Sequence, residues 1–62
     1  MSKTVDPEIA TVAAQWLPEV VAEFGHRATQ EQIADLLCGQ VPQQGGAFMD
    51  LVDELQRLAR NS

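Results

Sequence analysis

DPEIATVAAQWLPEVVAEFG, residues 6–25, decides the fold. Asp6 can cap a helix, Pro7 suits the first helical position, and Glu8 complements the positive end of the helix dipole. Ile9, Val12, Ala13, Trp16, Leu17, Val20, Val21 and Phe24 follow at alternating three- and four-residue steps along one helical face. Pro18 falls inside this run, so the stretch is either one bent helix or two. The apolar phase is the same on both sides of Pro18, which favours a single helix from Pro7 to Phe24 with Gly25 as its C-terminal cap. Proline has no N–H, so the Ala14 carbonyl loses its usual donor.

The width of the apolar face matters as much as its period. At ~100° per residue, Glu8, Thr11, Gln15, Pro18, Glu19 and Glu23 take up roughly 140° of the wheel and leave roughly 220° apolar or alanine. A surface helix needs little more than about 100°. The first helix is therefore expected to carry more apolar surface than the rest of its chain can cover. One seam, Ile9, Val12, Ala13, Trp16, Val20 and Phe24, is expected to receive the other helices. A second seam, Ala10, Ala14, Leu17 and Val21, has heptad-like spacing and small residues at one end, and is expected to meet a second copy of the chain. Trp16 as an aromatic anchor and Met49 at a contact rim complete the expected protein interface. The plainer alternatives are a tight monomeric bundle, Trp16 in the core, and Met49 as a single exposed apolar residue.

Working outward, residues 1–5 read as a flexible leader and residues 6–62 as one helical domain. Thr29-Gln30-Glu31-Gln32 matches a capping box, opening a short second helix with Ile33, Ala34, Leu36 and Leu37 that stops at Gly39. A connector follows that is rich in glycine and proline, with Val41 as an apolar anchor. Phe48, Leu51, Val52, Leu55, Leu58 and Ala59 make one stripe of a third helix, from about Ala47 to Ala59. Asp53 and Arg57 stand four residues apart on it, the spacing of an ion pair. The expected fold is a small all-α, three-helix domain that forms a homodimer.

Composition narrows function by exclusion. A 62-residue domain buries a modest core and is marginal alone. Cys38 is the single cysteine, so no disulfide within the chain can staple it. Cys38 and His26 are too few soft ligands for a zinc site, and no cofactor motif is present. Cys38 reads first as a buried small hydrophobe, His26 as a solvated turn residue, and Glu8, Glu19 and Glu23 as a solvated face. No nucleophile–base pair is available, so no enzymatic role is expected. The longest apolar runs fall short of a membrane span, and residues 1–6 hold no signal core, so a cytoplasmic location is expected. Net charge is −5, from nine acids against four cations. Such a field repels nucleic acid and anionic membrane and favours basic protein partners.

Ala28-Thr29-Gln30-Glu31-Gln32-Ile33-Ala34-Asp35-Leu36-Leu37 resembles the first helix of a helix-turn-helix. That resemblance implies a DNA-binding regulator with a three- or four-residue turn and a recognition helix. The long connector with Pro42, Gly45 and Gly46, and the lack of a basic residue between Ala47 and Arg57, depart from the pattern. The expected function is thus a small acidic interaction module that dimerises and binds or inhibits a larger, basic, nucleic-acid-handling protein. Regulators, adaptors and phage-encoded inhibitors are proteins of this kind. A degenerate helix-turn-helix regulator is the alternative.

Overall fold

A computed structural model describes residues 6–62; the leader expected over residues 1–5 lies outside them. The Asp6 side chain accepts the Glu8 N–H at 2.8 Å, and α1 runs unbroken from Pro7 to Phe24. Pro18 neither stops nor splits it. The Ala14 position is exposed, so water can reach the carbonyl that Pro18 leaves without a donor. Gly25, at a φ of 79° that favours glycine, closes the helix, its N–H donating to the Val21 carbonyl at 2.8 Å.

Helix α2, Gln30–Leu37, starts on the anticipated capping box. Thr29 Oγ1 accepts the Gln32 N–H at 3.1 Å, and Gln32 Oε1 accepts the Thr29 N–H at 3.0 Å. Residues 38–45 connect it to α3, Gly46–Asn61, which is longer by a residue or two at each end than the apolar spacing indicated. The N-cap of α3 is Gly45, without a side-chain hydrogen bond.

Contacts at the two ends of the molecule give the helix directions. Ile9 of α1 and Ala47 of α3 line the same groove, which brings the two N-termini together. His26, just past α1, reaches the carbonyl of Ala59 near the end of α3. Helices α1 and α3 therefore run parallel. At 1.5 Å per residue α1 is ~27 Å long, nearly the whole of the 29 Å longest dimension. The α2 helix starts beside the second half of α3, where Gln56 Nε2 donates to the Ala28 carbonyl and Gln30 Nε2 to Asp53 Oδ1, and it leads the chain back. The core is Ile9, Ala13 and Val20 from α1, Ala28 before α2, Ile33 and Leu37 from α2, and Leu51, Val52, Leu55 and Ala59 from α3. Helices α1 and α3 share the main interface, α2 packs mostly on α3, and α1 touches α2 only sparsely.

Several expectations are corrected here. Helix α1 does not carry large apolar side chains that the chain leaves bare. Val12, Trp16, Leu17, Val21 and Phe24 are all half-buried and packed against the core. Leu17 and Val21, assigned to a separate outer seam, thus also serve the monomer. Most of that cover comes from α3, and α2 adds a smaller share. Cys38 is exposed, because it caps the end of α2 where the chain turns away from the core. Arg57 pairs with Glu54, three residues back, and not with Asp53, whose carboxylate accepts from Gln30. His26 is a turn residue, but a bonded one rather than simply solvated.

Candidate protein interface

The face of α1 that packs inward is centred on Ile9, Ala13 and Val20, which lie within about 40° of one another on the wheel. Two flanks border it. Trp16, Glu23, Val12 and Glu19 follow on one side; Leu17, Ala10, Val21 and Ala14 follow on the other. Which flank meets which helix follows from handedness. A right-handed helix turns clockwise when viewed from its N-terminus. On α3 so viewed, Asp53 and Gln56, which reach the start of α2, lie clockwise of Ala47, which faces α1, across the buried Leu55. Seen from the parallel α1, helix α2 therefore sits counterclockwise of α3. The Trp16 flank borders α2, and the Leu17 flank lies along α3 on the side away from α2.

The six residues expected at a protein interface therefore do not share one face. Ala10, Ala14, Leu17 and Val21 do: Ala14 is exposed, and the other three are half-buried. Trp16, half-buried, belongs to the α2 flank. Met49 is 50 % exposed, the only exposed large hydrophobic among the described residues. It lies about 160° around α3 from Ala47 and so turns away from α1.

Charge divides the two flanks more sharply than exposure does. Clockwise from Phe24 to Gln15, through Leu17, Ala10, Val21, Ala14, Pro18, Thr11 and Ala22, α1 shows no charged side chain over about 180°. The exposed carboxylates Glu8, Glu19 and Glu23 all lie on the remaining arc, toward α2. Helix α2 adds the exposed Glu31 and Asp35. Residues 6–44 hold six carboxylates against the single Arg27, a net −5; residues 45–62 hold three against Arg57 and Arg60, a net −1.

Two polar features escaped the sequence reading. Glu54 is buried to 8 % exposure, and Arg57 grips it with a two-pronged bond, Nε to Oε1 at 3.1 Å and Nη2 to Oε2 at 2.6 Å. The bond to Glu54 and its charge raise the Arg57 pKa above its ordinary value. Asp53 and Glu54 both stand within reach of Arg57 in sequence, and which of them faces the core depends on how α3 packs. His26 Nδ1 lies 3.0 Å from the Ala59 carbonyl oxygen and 2.9 Å from Ser62 Oγ. A carbonyl only accepts, so this bond puts a proton on Nδ1. The contact ties the end of α1 to the end of α3.

Cys38 and His26 sit beyond opposite ends of α2, whose eight residues span ~12 Å. Among the described residues no group of three or more His, Cys, Asp or Glu side chains is placed to hold a metal ion, and no helix is long and apolar enough to cross a membrane. Residues 38–45 separate α2 from α3, more than the three or four of a helix-turn-helix. The first basic residue of α3 is Arg57. Comparison with protein-family models, with curated proteins and with solved structures gives no match.

Proposed function

We propose that the protein is a small, acidic, non-enzymatic interaction module that pairs with a second copy of itself and binds a larger, basic protein of the nucleic-acid-handling kind, as a regulator or inhibitor. The observation that carries this reading is the division of charge on α1. Two chains of net charge −5 repel one another, so copies must meet where carboxylates are absent. The arc around Ala10, Ala14, Leu17 and Val21 meets that requirement, and its alanines permit close approach of two helices. The acid-rich arc beside α2 is open to a cationic partner. The expected location of such a module is the cytoplasm, where the exposed Cys38 thiol stays reduced.

Cross-linking in the native cytosol from a photoreactive residue at position 19, compared with one at position 21, tests the reading. Position 21 is expected to capture a second copy, and position 19 a basic protein. Capture of neither would contradict the proposal.

A further inference from the structure

We propose that the seam between α1 and α2 is a docking groove for one basic amphipathic helix of the partner, an inference that rests on the interaction-module reading above. The α1–α2 contact is the thinnest in the bundle. Val12 and Trp16 on α1 are half-buried on the flank that borders it. On α2, Leu36 is half-buried on the flank opposite Gln30, whose side chain bonds to α3. Leu36 thus faces the α1 side. These three apolar side chains form a floor that the chain covers incompletely.

The rim is acidic. Glu19 and Glu23, both exposed, stand on its α1 edge. Glu19 and Glu23 lie within about 60° of Trp16 on the wheel, roughly one and two turns further along the helix, so the carboxylates continue the apolar floor at its C-terminal end. The arrangement calls for an occupant with apolar side chains at i, i+3, i+4 and i+7 and lysines or arginines beside them: a basic amphipathic helix laid in a groove. A second copy of this chain does not fit the description. Its helices place carboxylates beside their apolar stripes, and Arg57, one of its few cations, is already held by Glu54. A nucleic acid would bring phosphates to Glu19 and Glu23.

Trp16 is the only tryptophan, so its emission reports on this seam. The probe is an 18-residue peptide of leucine and lysine with leucines at amphipathic helical spacing. Controls are a scrambled peptide of the same composition and a leucine–glutamate peptide of the same spacing. The expected result is a saturable blue shift of Trp16 emission with the amphipathic basic peptide at low salt, and at least tenfold weaker binding by either control. The double variant Glu19→Lys, Glu23→Lys changes two exposed positions and should keep its helix content while binding at least tenfold more weakly. Ala22→Gln, an exposed change outside the α2 flank, should bind as the wild type does. Equal binding of the scrambled or acidic peptide, no saturable shift, or unchanged affinity in the double variant would overturn the groove. Loss of binding in Ala22→Gln alone would also overturn it while leaving the module reading intact. That reading fails separately, if position 19 and position 21 cross-linkers capture nothing.

Discussion

Each flank of α1 holds two half-buried large apolar residues, Val12 and Trp16 on one and Leu17 and Val21 on the other, yet the flanks present different surfaces. The Trp16 flank looks toward an eight-residue helix that barely touches it and is edged with carboxylates. The Leu17 flank looks past the sixteen-residue α3 and carries no charge. One helix wide enough to be apolar over most of its circumference thus faces neighbours of unequal length, and the mismatch leaves two unlike edges. Apolar width sets how much surface must be covered. The lengths of the neighbours and the placement of charge set what can cover it.

The largest effect is expected from removing the support beneath both flanks. Leu55 is fully buried at the centre of α3. Leu55→Ala should cost about 2–5 kcal/mol, a large share of the ~3–9 kcal/mol available to a domain of this size. Urea denaturation followed by circular dichroism should show a strong loss of midpoint, and an unchanged midpoint would mean that α1 and α3 do not share a core.

Val21→Glu and Leu17→Glu sharpen the comparison from the uncharged side. Both residues pack against the core as well as edging the proposed contact. Each is expected to cost about 1–3 kcal/mol of stability and to weaken self-association at concentrations where the helices remain folded. If either change unfolds a protein that is monomeric beforehand, the flank belongs to the core alone.

Arg57→Ala tests the ion pair within α3. It leaves the nearly buried Glu54 carboxylate without the guanidinium that holds it. The expected outcome is a modest fall of the urea denaturation midpoint, because Arg57 itself reaches into solvent and water can take over part of its role. The raised Arg57 pKa lies far above neutrality, and the stability it contributes is present below the unfolded pKa and lost only above it. The arginine therefore confers no pH dependence near pH 7. Thr29→Ala removes half of the capping box and should cost ~1 kcal/mol, seen as a shift of the denaturation midpoint and earlier amide exchange in α2. The smallest effect is expected at Cys38. Cys38→Ser changes an exposed side chain at a helix end and should stay within about 0.5 kcal/mol; a larger loss would show that the thiol packs against something.

What could be read from the sequence was what local chemistry determines. Asp6-Pro7-Glu8, the Thr29–Gln32 box, Gly25 and the apolar spacing place the three helices to within a residue or two, because caps and periodicity act over one or two turns. What could not be read depends on how the helices lie together. Glu54 and Asp53 are adjacent, and only the way α3 packs decides which is buried. His26 finds Ala59 across thirty-three residues. Cys38 has the composition of a core residue and the position of a cap. The two flanks of α1 could be drawn on a wheel, but assigning one to α2 and the other to α3 needed the direction of the chain between them.

Light scattering of the chain, alone and with the basic amphipathic peptide, tests most directly whether α1 has two independent working flanks. The expected mass is twice that of the 6.8 kDa chain, rising by one peptide per chain without dissociation. A mass of one chain at every concentration, or a dimer that the peptide splits, would contradict it.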